Sequence, residues 1–176
     1  MTYFSSNYKR INYPIANDSA KGLRNAQIGA IHAIASHFTL FKDEAAIVIM
    51  PTGSGKTAVL ILSAYLLRAK RVLVISSSVM VRGQIVEEFS QLKTLKASSV
   101  FHSDLPLPKV KEIKSPIKSI EDWEALKEFD VEVVETLNLY FEKTFRSWYK
   151  QLKRARNKPH FIKTEDIAQS IITKLQ

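Results

Sequence analysis

The sequence predicts an α/β fold, with a parallel sheet around a glycine-rich loop and a helical C-terminal segment. Two short apolar runs rich in β-branched residues, 46–50 and 72–75, alternate with segments whose apolar residues recur at helical spacing. That alternation is typical of right-handed βαβ units. A glycine-rich stretch, residues 51–55, joins the first run to a helix led by Lys56. The chain has 176 residues, near the usual size of one domain.

Composition excludes several classes of protein. A hydrophobic content of 45% with 24% charged residues rules out a disordered or low-complexity chain. The chain has no cysteine, which excludes disulfides, thiolate metal sites and a cysteine nucleophile. The N-terminus has no apolar signal core, and the longest nearly apolar run, 58–67, is too short to span a membrane. We therefore expect a cytoplasmic protein with no membrane partner.

Net charge favours a polyanionic partner, with nucleic acid ahead of a membrane. The formal charge is +9 and the isoelectric point is near 9.7. Residues 119–142 hold eight acids, whereas 143–163 hold eight bases and no acid. Four of these bases are candidate contacts to nucleic-acid phosphates: Arg146, Lys150, Lys153 and Arg154. The alternative is a solvated helix face whose bases pair with the preceding acids.

The helices and strands of the first half are predicted from the spacing of apolar residues and from the residues that begin and end each element. After an N-terminal arm, residues 1–18, we expect a helix that begins near Ser19 as its N-cap. The run at 46–50 is expected to be a buried parallel strand, followed by a helix over 56–69. A second strand at 72–75 and a helix from about 79 to 92 complete the pattern.

The second half is less regular. Residues 99–101 are a candidate short strand, and three prolines then mark a basic loop. A helix capped by Ser119 is expected to reach about Phe129. From Val134 onward we expect an amphipathic helix with one apolar stripe: Leu137, Phe141, Phe145, Trp148 and Leu152. A last short helix is expected after Thr164, so residues 136–176 form a helical, basic segment.

Residues 50–57, Met-Pro-Thr-Gly-Ser-Gly-Lys-Thr, lie between a predicted strand and a predicted helix, as a phosphate loop requires. The glycines let backbone N–H groups converge on phosphate oxygens, and the helix N-terminus adds partial positive charge. Lys56 is expected to reach the β- and γ-phosphates, and the Thr57 hydroxyl to ligate Mg²⁺. The predicted ligands are the phosphates of a nucleotide and Mg²⁺, bound by Thr52, Gly53, Ser54, Gly55, Lys56 and Thr57. Met50 stands where the strict pattern has its first glycine.

This loop resembles that of the superfamily 2 DEAD/DEAH-box helicases, especially the bacterial branch that includes helicase subunits of restriction systems. Residues 23–27, Leu-Arg-Asn-Ala-Gln, look like the family's Q-type adenine-recognition element. The resemblance implies that Arg24 and Gln27 bind the nucleotide, with the Gln27 amide at the adenine. It covers about residues 19–135, the N-terminal part of the first RecA-like lobe.

Residues 72–78 and the following Val81-Arg82-Gly83-Gln84 resemble motif Ia, which binds the nucleic-acid backbone. The resemblance implies contacts to nucleic acid from four side chains: Ser77, Ser78, Arg82 and Gln84. The family often has Pro where Ser77 stands and Arg where Val79 stands. An ordinary serine-rich turn between strand and helix is the alternative.

The acidic motif that a helicase uses to position Mg²⁺ and the attacking water is missing from this chain. Downstream of Lys56, no run of four apolar residues is followed by Asp-Glu. The nearest candidate acid is Glu135, in Asp-Val-Glu-Val-Val-Glu at 130–135. We likewise expect the second RecA-like lobe to be absent. The resemblance therefore implies an incomplete lobe, in a truncated or split form.

We expect an ATP-binding and nucleic-acid-binding portion of a DEAD/DEAH-type helicase or translocase, with DNA favoured over RNA. Alone it is expected to hydrolyse ATP weakly or not at all, and a second polypeptide is expected to complete the motor. The sequence alone does not decide whether the chain is an enzyme. One alternative is a non-enzymatic module in which nucleotide gates binding to nucleic acid or to a helicase partner. Another is a small NTPase that uses an atypical acid such as Glu135.

Overall fold

The computed structural model describes residues 2–17, 21–41, 44–76, 78–115 and 124–135. Within them the helices are α1 (Tyr3–Asn7), α2 (Asn25–Leu40), α3 (Lys56–Leu66), α4 (Val79–Gln91) and α5 (Lys93–Ala97). The strands are β1 (Val72–Ser76), β2 (Val110–Ile113) and β3 (Val131–Glu135). Two 3₁₀ turns, Tyr8–Arg10 and Leu126–Glu128, complete the regular elements.

The three strands form a parallel sheet in the order β1-β3-β2, which confirms the predicted α/β class. In its register Val72 lies beside Val131 and Ser76 lies beside Glu135. Val131 and Val133 are fully buried in the core shared with α3 and α4, as a strand between two parallel neighbours should be. The strand at 72–75 and the helix that follows it were predicted at nearly these bounds.

The N-terminal segment, expected to form an arm, contacts the core through its first helix, α1. Phe4 is fully buried and meets the Tyr65 ring edge to face, with 4.9 Å between centroids. The Tyr3 and Tyr65 hydroxyls are 2.8 Å apart, and burial raises the pKa of Tyr3 to about 12. An isolated bridge joins Ile11 to Phe101. These contacts tie the N-terminal segment to α3.

The expected helix start near Ser19 was wrong, because α2 begins at Asn25. Arg24, the N-cap of α2, has an extended backbone, and Ile15 pairs with Leu23 in a parallel bridge. The Leu23 N–H donates to the Pro14 carbonyl at 2.7 Å, which satisfies that donor outside a helix. Ser19 itself lies outside the described residues.

The expected strand at 46–50 was also wrong. These residues run without regular structure, and Ile47 and Ile49 are 84% and 90% exposed. In the described part of the chain β1 pairs only with β3, so no strand offers residues 46–50 a hydrogen-bonded ladder. Apolar, β-branched composition favours a strand, but the strand forms only beside a partner.

Three expectations in the second half also need correction. Residues 99–101 are not a strand, because Ser99 has a left-handed φ of 57° and only Phe101 makes a single bridge. Strand β2 lies in the stretch expected to be a basic loop. Val134, expected to begin a helix, is fully buried in β3. Residues 116–123 and 136–176, with the helices expected there, lie outside the described residues.

Candidate nucleotide-binding site

The phosphate loop has the backbone that its glycines predict. Gly53 and Gly55 have φ values of +77° and +84°, in the left-handed region that glycine adopts at little cost. The Ser54 hydroxyl and N–H both reach the Pro51 carbonyl, at 2.7 and 3.3 Å, and close the turn. Gly55 is then the N-cap of α3, so the loop leads straight into a helix N-terminus.

Several N–H groups of this loop are available to a ligand. Within the described residues, the amides of Gly53, Gly55 and Lys56 have no hydrogen-bond acceptor. Unsatisfied N–H groups at a helix N-terminus, together with the helix dipole, form an anion-binding site. The residues present therefore fit the phosphate groups of a nucleotide.

Lys56 and Thr57 are the first two residues of α3. The Lys56 side chain is exposed, and its Nζ donates to the Pro51 carbonyl at 2.9 Å across the loop. Thr57 is half-buried in the first turn of α3. An ammonium group and a hydroxyl group at this helix start suit the charge of phosphates and the ligation of Mg²⁺, respectively.

The start of α2 clamps the loop. An Arg24 guanidinium nitrogen donates to the Gly53 carbonyl at 2.6 Å, and Gln27 Nε2 donates to the Gly55 carbonyl at 3.2 Å. Gln27 Oε1 also accepts the Arg24 backbone N–H at 2.8 Å, as part of the cap of α2. Gln27 is only 7% exposed. The structure thus brings the predicted adenine-recognition residues against the phosphate loop, and the contact of Gln27 with adenine stays a prediction.

A pocket of about 410 Å³ opens beside the loop. One side is formed by α2 and the loop, with Arg24, Gln27, Gly55 and Thr57. The opposite side is formed by α4 and α5, and it is lined by Gln84, Glu87, Glu88, Thr94 and Ser98. Gln84, predicted to contact nucleic acid, therefore lies in the pocket next to the phosphate loop.

Sequence reasoning missed Glu87 and Glu88 as pocket residues. They follow Gln84 at the i+3 and i+4 positions of α4, so the three side chains share one face of the helix. That spacing is visible in the sequence. What periodicity could not show is that this face of α4 turns toward Gly55 and Thr57 across the pocket.

The motif Ia turn is partly described. Ser76 is buried, and its hydroxyl accepts the Ser78 N–H at 3.3 Å. Ser78 is the N-cap of α4, with its Oγ 3.5 Å from the Val81 N–H. Ser77 lies outside the described residues. The Ser78 side chain is therefore occupied in capping, although the turn stands at a helix N-terminus.

Arg82 is a buried residue in this structure. It is 6% exposed, and its Nε donates to Glu112 Oε1 at 3.0 Å across to β2. Burial opposes ionisation of Glu112, but hydrogen bonds from Lys114 and Arg82 outweigh it and lower the pKa of Glu112. The guanidinium links α4 to the sheet instead of lying on the surface that a phosphate contact needs.

The remaining candidate residues are Glu135 and four bases of the C-terminal segment. Glu135 ends β3, in register with Ser76 of β1, and its role as an acid stays a prediction. The four candidate bases of the C-terminal segment lie outside the described residues: Arg146, Lys150, Lys153 and Arg154. No cluster of three metal-ligating side chains occurs within the described ranges.

Glu132, which interrupts the apolar run of β3, forms a buried ion pair. It is 3% exposed and accepts two hydrogen bonds from the Arg71 guanidinium, which also donates to the Leu126 carbonyl at 2.9 Å. Burial raises the pKa of Glu132, and the Arg71 hydrogen bonds and charge oppose that rise. Glu132 therefore has a structural role in the sheet.

Comparison with known protein families gives a match over most of the chain. A family model described as "Type III restriction enzyme, res subunit" matches residues 20–163, which include the phosphate loop, the pocket and all three strands. No curated protein and no solved structure matches the chain. Among the described residues, no helix is long and apolar enough to cross a membrane.

Proposed function

This chain belongs to the type III restriction enzyme res subunit family, and on that premise we propose that it binds ATP with Mg²⁺ and contacts nucleic acid as part of a helicase-like motor. The fold is the incomplete RecA-like lobe that such a motor uses to hold nucleotide. The proposal names the residues of the loop and of α2 as the nucleotide site.

The amides of the phosphate loop carry this proposal. The Gly55 carbonyl is held by Gln27, and in a trans peptide the Lys56 N–H on the same bond points the opposite way, free to meet a phosphate oxygen. Gly53 and Gly55 add two further N–H groups, and Lys56 adds a charge. ATP would supply a phosphoanhydride bond there, with Mg²⁺, ligated by Thr57, neutralising phosphate charge.

Hydrolysis by this chain alone is expected to be weak or absent. Within the sequence no acidic pair follows an apolar strand downstream of Lys56. A second polypeptide that supplies the acid is the proposed completing partner. The exposed apolar side chains support it: Ile47, Ile49, Leu73 and Ile75 are each 45% exposed or more.

Nucleic acid is the second proposed ligand, with DNA favoured over RNA. The turn before α4 and the bases of residues 143–163 supply N–H groups and positive charge without base-specific chemistry. Binding is therefore expected to be insensitive to sequence and to weaken steeply with salt.

Titration calorimetry with ATP and Mg²⁺ on the full chain tests the proposal. The wild type is expected to bind, and Lys56→Ala to lose at least about tenfold in affinity, or about 1.4 kcal/mol. Lys70→Ala is the matched control, because Lys70 is exposed and lies outside the loop and the pocket. A folded wild type that binds no ATP would contradict the proposal.

Two further assays separate the alternatives. The non-enzymatic gated module would be favoured if nucleotide changes the affinity for DNA but no ATP is hydrolysed, even with candidate partner subunits present. Hydrolysis by the chain alone that Glu135→Gln abolishes would favour the small NTPase. Hydrolysis that Lys56→Ala abolishes and Glu135→Gln leaves intact would exclude that second alternative.

A further inference from the structure

We infer that the α4 side of the pocket recognises the ribose of the nucleotide, so that the site prefers ATP to 2′-deoxy-ATP. The residues that carry this inference are Gln84, Glu87 and Glu88. It rests on the proposed function, because it names the part of the nucleotide that lies beyond the phosphate loop.

The pocket is continuous from the loop to α4. Gly55 and Thr57 line it at the phosphate end, and Glu87 and Glu88 line it on the opposite side. Its volume of about 410 Å³ falls in the range of roughly 300–1,000 Å³ found for small-molecule sites. Gly55 belongs to both the loop and the pocket lining, so we place the part of the nucleotide beyond its phosphates in this space.

Charge fixes which end of the nucleotide faces α4. The loop end of the pocket carries Arg24, together with Gly55 and Thr57 at the N-terminus of α3. The α4 end carries two carboxylates, which repel phosphate and accept hydrogen bonds from hydroxyl groups. The uncharged, hydroxyl-bearing part of the nucleotide is therefore the part that suits Glu87 and Glu88.

The carboxylates are placed to accept such bonds. Glu88 Oε1 accepts the Thr94 hydroxyl at 2.7 Å, which orients the carboxylate and leaves Oε2 for a ligand. Glu87 is exposed, and within the described residues its carboxylate has no hydrogen-bond or ion-pair partner. An acidic side chain that accepts the 2′-hydroxyl is a known device for reading ribose, and two vicinal hydroxyls can share one carboxylate. Gln84, one turn before, adds a neutral donor and acceptor.

The test compares three ligands, each with Mg²⁺, by calorimetry on the full chain: ATP, 2′-deoxy-ATP and inorganic tripolyphosphate. The wild type is expected to bind ATP about five- to tenfold more tightly than 2′-deoxy-ATP, equal to about 1–1.4 kcal/mol. In the double variant Glu87→Gln/Glu88→Gln that ratio is expected to fall to about twofold or less. Glu128→Gln, exposed and outside the pocket, is the matched control.

Tripolyphosphate separates this inference from the proposed function. The double variant is expected to bind tripolyphosphate as tightly as the wild type or more tightly, since two charges that repel phosphate are removed, and this retained binding shows that its loop is folded. Equal wild-type affinity for ATP and 2′-deoxy-ATP would overturn the inference alone. An equal loss of affinity for ATP and 2′-deoxy-ATP in the double variant would also overturn the inference. That result is expected if the carboxylates accept hydrogen bonds from the adenine amino group. Absence of both ATP and tripolyphosphate binding would overturn the proposed function and the inference together.

Discussion

Gln27 Nε2 donates to the Gly55 carbonyl at 3.2 Å, and this bond joins the N-terminus of α2 to the N-terminus of α3. The same amide caps α2 through Oε1, so one side chain orders both helix starts. Because the Gly55 carbonyl and the Lys56 N–H lie on one trans peptide, holding the carbonyl also aims the N–H. Gln27 therefore organises the phosphate loop, whatever it contacts in a nucleotide.

Gly55→Ala is expected to damage the loop in two ways. A Cβ at this position would lie 2.2 Å from Gln27 Nε2, and the left-handed φ of +84° strains any residue with a side chain. We expect the free energy of unfolding to fall by about 1–2 kcal/mol from the backbone strain alone. ATP affinity is expected to fall at least about tenfold, because the Gln27 contact is displaced. Urea unfolding and calorimetry measure the two effects.

Two other glycines serve as controls for that variant. Gly53→Ala has the same kind of strain at φ +77° but open space around its Cβ, so it should keep the Gln27 contact and lose less ATP affinity. Gly29→Ala, exposed inside α2 with nothing near its Cβ, should raise stability by about 0.5–1 kcal/mol. Equal ATP affinities for the Gly53 and Gly55 variants would show that Gln27 does not order the loop.

Arg82→Ala is expected to lower the free energy of unfolding. Its Nε bonds Glu112 at 3.0 Å, with side-chain exposures of 7% and 24%, so removing it leaves a poorly solvated carboxylate. We expect a loss of about 1–3 kcal/mol, less than for a fully buried pair because Lys114 still contacts Glu112. Arg10→Ala breaks an exposed pair with Asp104 and should cost less than about 1 kcal/mol.

Chemical denaturation measures these two losses, and a DNA titration adds a second readout. If Arg82 contacts phosphate directly, Arg82→Lys would keep the charge and much of the DNA affinity while losing stability. A variant at position 82 that weakens DNA binding but leaves the free energy of unfolding unchanged would contradict a structural role for Arg82.

Sequence reasoning succeeded where the signal is local. The phosphate loop, β1 and α4 follow from glycine spacing, β-branched runs and helical periodicity within about ten residues each. It failed where the structure of a segment depends on contacts with residues distant in the sequence. Residues 46–50 have strand composition but no neighbouring strand among the described residues, and β2 forms because β3 pairs with it. Likewise, only the tertiary packing shows that Glu87 faces the loop pocket and that Arg82 is buried.

Glu132 gives a pH dependence whose sign can be stated. Burial raises its pKa above the ordinary 4.5, so the folded chain holds this proton more tightly than the unfolded chain does. The stability contributed by that proton is complete below pH 4.5 and is lost as pH rises through the folded-state pKa. Relative to Glu132→Gln, the wild type should therefore become less stable between pH 4.5 and neutrality. Urea unfolding of both proteins across that range measures the difference, which would stay flat or reverse if the Arg71 pair prevailed over burial.

Ile49 and Ile61 test whether residues 46–50 lie outside the core. Ile49 is 90% exposed and Ile61 is fully buried, although both belong to segments with strongly apolar sequences. Ile61→Ala should cost about 2–5 kcal/mol, because it leaves a cavity beside α3. Ile49→Ala should change the free energy of unfolding by less than about 0.5 kcal/mol. Comparable losses in the two variants would place residue 49 in a packed strand.

The most direct test of the loop is the amide NMR spectrum of the full chain, titrated with ATP and Mg²⁺. The chain has only five glycines, whose amides fall in a distinct region of the spectrum, so Gly53 and Gly55 are readily followed. Both signals should shift on saturation, together with that of Lys56, while Gly29 and Gly83 change little. Saturating nucleotide that leaves the Gly53 and Gly55 amides unmoved would contradict the claim that this loop holds the phosphates.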